Sequence, residues 1–158
     1  MLMLSDGSVT NVSNDPALDR SPGWSPDGQF LVFHTRSRGD DIYTVDAGGS
    51  NATPLTDDVA HERCPTVSPD GRWVAFESPA SGNWDIWALD LTGVDPLLQF
   101  TTDPGRDQDP DWAPDGSRLC FMSDRAGNRD IWTIDPDGSN PQAETFDVGD
   151  DDQPSWSP

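Results

Sequence analysis

Lysine is absent from this chain of 158 residues, cysteine occurs twice, and no apolar run is long enough to cross a membrane as a helix. Each shortage excludes something. Without lysine all nine basic residues are arginine, set against 29 acidic ones that are mostly Asp, and the net charge is -20. A field of that sign repels phosphate backbones and anionic lipid, so neither nucleic acid nor membrane insertion is expected. Cations and basic proteins or peptides fit it. Long amphipathic helices are missing as well. Met1-Leu2-Met3-Leu4 lacks the basic start and long apolar stretch of a secretory signal, so the signal of an exported parent is expected to lie outside the chain.

What is present is turn chemistry in a repeating register. Gly, Pro, Asp, Ser and Thr crowd the chain at short intervals, as a turn-rich all-β protein requires. Ser25-Pro26-Asp27-Gly28 returns as Ser68-Pro69-Asp70-Gly71 and as Ala113-Pro114-Asp115-Gly116, 43 and then 45 residues on. Asp41-Ile42-Tyr43, Asp85-Ile86-Trp87 and Asp130-Ile131-Trp132 keep the same step, as do Phe33, Phe76 and Phe121. Each copy reads as four short strands. The first strand opens near Pro22, Pro65 or Pro110. Pro-Asp-Gly then turns the chain, with Pro presetting φ, Asp capping and Gly taking a positive φ. The second strand alternates, as in Arg72 to Glu77. The third begins at Asp41, Asp85 or Asp130, and an irregular polar fourth strand ends near Leu55-Thr56 or Phe100-Thr101.

A period near 44 with four strands per unit is the signature of propeller blades. The fold class expected is therefore all-β, a β-propeller of four-stranded antiparallel blades in an incomplete ring of about 3.5 blades. The whole of 1–158 reads as one partial domain. Residues 1–20 form the second half of a blade, 21–64, 65–109 and 110–153 are blades, and 154–158 is the first strand of the next. A blade alone cannot bury both faces, so Trp24, Tyr43, Trp87, Trp112 and Trp132 are expected to pack between neighbouring sheets. Three whole blades do not close a ring. Either the chain belongs to a longer protein or a homo-oligomer completes the ring.

The run Pro-x-Trp-Ser-Pro-Asp-Gly, a Phe-ended strand, Ser-x-Arg-x-Gly and Asp-Ile-Trp together resemble the WD-repeat-like blade of TolB-like propellers, over nearly the whole chain. The third copy matches most fully, through Ser123-Asp124-Arg125-Ala126-Gly127; the second lacks the Arg and has Val67 where the others have Trp. The resemblance implies a protein-binding scaffold and a periplasmic or extracellular place. The lysine-free acidic composition is also similar to that of proteins from salt-loving organisms, which makes the cytoplasm of such an organism the alternative.

One column offers chemistry. Asp19, Glu62, Asp107 and Asp151 each lie three residues before a blade's Pro, at the mouth of the strand expected to line the central channel. Carboxylates converging there suit Ca²⁺ or Mg²⁺, and the resemblance implies that such channels can hold cations. The other reading is that each carboxylate accepts hydrogen bonds from the neighbouring blade and fixes ring geometry. Asp27, Asp70 and Asp115 are explained by their turns, and Asp130 is expected to pair with Arg125. His34 and His61 occupy unequal repeat positions and read as solvent-facing; Cys120, aligned with Val32 and Ala75, reads as a small buried hydrophobe, and it does not share a column with Cys64. No nucleophile elbow, phosphate loop or zinc cluster is visible, and no enzyme activity is expected of these residues. The function expected is a non-catalytic scaffold for a protein or peptide of basic character. The alternative is a propeller that guides substrate to a serine peptidase or hydrolase domain outside this chain.

Overall fold

The computed structural model describes residues 2–3, 9–36, 39–57, 60–94 and 97–157, and all its regular structure is β. Two short strands, β1 (Leu2–Met3) and β2 (Val9–Thr10), pair antiparallel. Three four-stranded antiparallel sheets follow, each in simple sequence order. The first holds β3 (Asp19–Trp24), β4 (Phe30–Thr35), β5 (Asp41–Asp46) and β6 (Thr53–Pro54). The second holds β7 (Arg63–Val67), β8 (Trp73–Ser78), β9 (Asp85–Asp90) and β10 (Leu97–Gln99). The third holds β11 (Asp107–Trp112), β12 (Leu119–Ser123), β13 (Asp130–Ile134) and β14 (Gln142–Ala143). Among the described residues no sheet closes on itself, and the arrangement is an incomplete propeller.

The core lies between sheets rather than within them. Side chains alternate across a strand, so each blade sends one set to each neighbour. From β8, Val74 and Phe76 pack with Val32 and Ile42 of the first blade. Ala75, between them in sequence, faces the other way and joins Ile86, Ala88, Trp112, Leu119 and Phe121 at the seam with the third blade. This is why the second strands are buried along almost their whole length, a pattern that a half-exposed strand does not show. Trp112 meets Phe100 of the preceding blade edge to face, at 6.2 Å between ring centroids. Trp24, its counterpart, is 47% exposed, because the sheet before it in the chain has two strands and not four.

The Pro-Asp-Gly turns form as their chemistry dictates. The Asp27 carboxylate accepts the Gln29 N–H at 3.0 Å and the Ser25 hydroxyl at 2.7 Å, and Gly28 takes φ of 69°. Those bonds hold the Asp27 carboxyl below the usual range. Asp70 and Asp115 repeat the arrangement with the Arg72 and Ser117 amides.

The first strand carries a feature that composition does not announce. It begins at Asp19, Arg63 or Asp107, before the proline, and each register slips at the proline, between Arg20 and Gly23, Arg63 and Thr66, Gln108 and Asp111. The residue before that proline has a left-handed backbone: Ser21 at 49°, Cys64 at 50°, Asp109 at 53°, and Gln153 at 54°. Proline has no N–H to place in a ladder, and a bulge accommodates it. The first strands thereby approach closely. A Cβ on Gly23 would stand 3.3 Å from the Pro65 carbonyl oxygen of the next blade.

Candidate functional site

The bulged segments of successive first strands converge on one open cleft of about 380 Å³. Its wall is layered. The left-handed residues Ser21, Cys64, Asp109 and Gln153 form one layer, the prolines 22, 65, 110 and 154 the next, and Gly23, Thr66, Asp111 and Ser155 the third. This is the axial face of the propeller sector. Asp109 and Asp111 supply its carboxylates. Asp111 also ties the wall together, accepting the Thr66 hydroxyl at 3.4 Å and the Trp156 N–H at 2.9 Å.

Deeper in the wall, Glu77 is 3% exposed and accepts the Asp109 N–H at 3.1 Å. Cys64 Sγ, a Glu77 carboxylate oxygen and an Asp109 carboxylate oxygen lie within 4.8 Å of one another. Burial, with the neighbouring carboxyl groups of Glu77 and Asp109, pushes the Cys64 thiol up to about 12, so it stays protonated and weakly nucleophilic.

The four acidic residues singled out from sequence occupy equivalent places ahead of the four prolines, and their carboxylates differ in what they bond. Their backbone N–H groups repeat one contact: Glu62 donates to the Asp40 carbonyl at 2.7 Å, Asp107 to Trp84 and Asp151 to Arg129, both at 2.8 Å. The Glu62 carboxylate, fully buried, accepts the Thr56 hydroxyl of the first blade at 3.1 Å and the Ser78 hydroxyl of its own at 3.2 Å. Asp107, also fully buried, takes Arg125 Nη2 at 2.8 Å on both oxygens. Asp19 accepts the Ser13 hydroxyl through Oδ2, while its Oδ1, like Asp151 Oδ2, is buried without a hydrogen-bond partner.

Two expectations are corrected here. Arg125 does not pair with Asp130; it folds back over Phe121 and Trp132, its Cζ 5.4 and 4.6 Å from the ring centroids, and reaches Asp107. Asp130 accepts Asn128 Nδ2 at 3.3 Å instead. His34 is not solvent-facing but 4% exposed, pointing from a second strand into a seam, and burial lowers its pKa from the ordinary value. His61 is exposed as expected, with Nδ1 3.0 Å from the Gly39 carbonyl oxygen, and Cys120 is buried.

The seam has further members that the sequence reading passed over. Thr56, Thr101 and Thr145 each accept the N–H of the second residue of a third strand, Ile42, Ile86 or Ile131, at 2.9 Å. Asn83 clamps the Asp103 and Gly105 carbonyls at 3.0 and 2.7 Å, and Asn128 does the same to Asp147 and Gly149 at 3.1 and 2.6 Å. Both signals were available, since each Thr precedes its acid by six residues and each Asn precedes its Asp by two. Across the first seam, Asp40 receives Arg63 Nη2 at 2.7 Å and Arg36 Nε at 3.0 Å. Although burial opposes it, these arginines hold the Asp40 carboxyl below the usual range.

Solved structures place this architecture among known propellers. TolB from Acinetobacter baumannii superposes with a TM-score of 0.80 at 24% identity, covering 97% of this chain and 39% of that one. The putative TolB from Agrobacterium tumefaciens gives a TM-score of 0.72 at 29% identity, covering 82% of this chain and 49% of that one. The β-propeller domain of the Trilobed protease from Pyrococcus furiosus is similar in fold, with a TM-score of 0.62 at 15% identity over 82% of this chain and 43% of that one. The chain thus spans about half the length, or less, of these structures. No protein with a curated description matches. The family model described as TolB beta propeller domain matches residues 1–97 and again 61–158, and the chain belongs to that family.

Proposed function

We propose that this chain is part of a non-catalytic propeller scaffold that binds a protein or peptide segment of basic character at the axial cleft. The observation that carries the reading is the cleft itself. Three successive blades and the segment after them present one layered wall about an open volume of about 380 Å³, and the charges on that wall are the carboxylates of Asp109 and Asp111. A net charge of -20 adds a long-range field of the same sign. Such a field steers cationic partners and raises their association rate. Membership of the TolB propeller family supports a protein-interaction role.

The test is a titration of fluorescent peptides of equal length, one arginine-rich and one acidic, at low and high salt. The arginine-rich peptide is expected to bind and the acidic one not. Its affinity should fall as the screening length contracts from about 10 Å at 0.1 M to about 3 Å at 1 M. Asp109→Asn with Asp111→Asn should weaken it further, and Asn tolerates the left-handed backbone at position 109. Equal binding of both peptides, or no response to the double substitution, would overturn the reading.

A further inference from the structure

We infer that the seam between the second and third blades is a proton-linked joint, in which Glu77 holds its proton beside the Asp109 carboxylate and releases it as pH rises, loosening the two blades. The position of Glu77 argues for this. It lies on β8, a central strand, and crosses to β11 of the next blade, accepting the Asp109 N–H at 3.1 Å and Gln108 Nε2 at 3.5 Å. The equivalent residues are His34 in the first blade and Met122 in the third, so the carboxyl is peculiar to this seam.

The groups that face it leave an ionised Glu77 poorly compensated. From β7 come Arg63, its cross-strand partner, and Cys64. The Arg63 guanidinium is committed elsewhere, to Asp40 at 2.7 and 3.0 Å and over the Trp84 ring at 5.2 Å. Cys64 is an uncharged thiol. From β9 the facing residue is Ile86, which is apolar. From β11 come the Asp109 carboxylate and, farther along the strand, Asp107, whose charge is matched by Arg125. No salt bridge to Glu77 exists among the described residues, so ionisation places a charge on a buried carboxyl with a second carboxylate within 4.8 Å. Burial pushes the Glu77 carboxyl above its ordinary value and the charge of Asp109 adds to this, while the Asp109 N–H, Gln108 and the charge of Arg63 oppose it without reversing the direction.

The sign follows from linkage. A carboxyl whose pKa is higher folded than unfolded adds stability at pH below the unfolded value, and that stability is lost as pH rises through the folded value. The joint is therefore tightest in mild acid as far as Glu77 is concerned.

Two measurements on the whole chain test the inference. Carbon-detected NMR of the Glu77 carboxyl should give a midpoint above the value of about 4.3 for an exposed glutamate. Urea unfolding of the wild type and of Glu77→Gln, which keeps the acceptor and removes the charge, should diverge with rising pH in favour of the variant. Each unit of pKa separation corresponds to a tenfold change in the folding constant. A midpoint at or below that of an exposed glutamate overturns the inference, as do parallel unfolding curves. If Glu77→Gln does not fold, the wild-type midpoint decides alone.

Discussion

At the buried end of β11 one guanidinium answers one carboxylate. Asp107 has no exposed surface, and Arg125 supplies its counter-charge while resting on Phe121 and Trp132. Removing the arginine leaves a charge stranded in the core, so Arg125→Ala should cost about 3 to 5 kcal/mol, as breaking a buried pair does. Equilibrium urea unfolding measures it, and a loss within the range of exposed pairs, about 0 to 1 kcal/mol, would mean that Asp107 is not held this way. The sequence showed Arg125 five residues from Asp130 and suggested that pair. The real partner is 18 residues away, because the loop after β12 turns back over its own blade and lands above the start of β11. Spacing along a strand shows which residues share a face. It does not show which carboxylate lies beneath a loop.

At the scale of strands and turns, two glycines separate two kinds of constraint. Gly28 closes the first Pro-Asp-Gly turn at φ of 69°, with nothing within 4 Å of where a Cβ would be. Gly28→Ala should cost only the left-handed backbone, roughly 1 to 2 kcal/mol. Gly105, in the loop clamped by Asn83, would place its Cβ 2.8 Å from the Arg125 backbone. Gly105→Ala is expected to reach or pass the upper end of about 1 to 3 kcal/mol, because backbone cannot step aside. Thermal unfolding of the two variants ranks them, and a larger loss at Gly28 would contradict the assignment. The turns were legible because their chemistry is local, and the second and third strands because Val74, Ala75 and Phe76 alternate in one register. The bulges were not. A left-handed residue before proline runs against local preference, and only the close approach of neighbouring first strands, as at Gly23 and Pro65, accounts for it.

In the molecule as a whole, burial is shared between blades. Val74 and Phe76 serve one seam, Ala75 the other, and the repeated Thr, Asn and acidic residues fasten each seam at one end. The blade order could be read from the sequence because three independent columns keep one step. The cleft could not, since its carboxylates, Asp109 and Asp111, belong to a single copy and stand out only once the strands are placed around it. The acidic column drew attention instead; Glu62 and Asp107 accept side-chain hydrogen bonds on both oxygens, whereas Asp19 and Asp151 each keep one buried oxygen without a partner. The most direct test of the account is hydrogen exchange on the whole chain with and without the arginine-rich peptide. Protection is predicted at residues 21–23, 64–66, 109–111 and 153–155, which wall the cleft. Protection confined to the outer strands β6, β10 and β14, with the cleft wall unchanged, would contradict it.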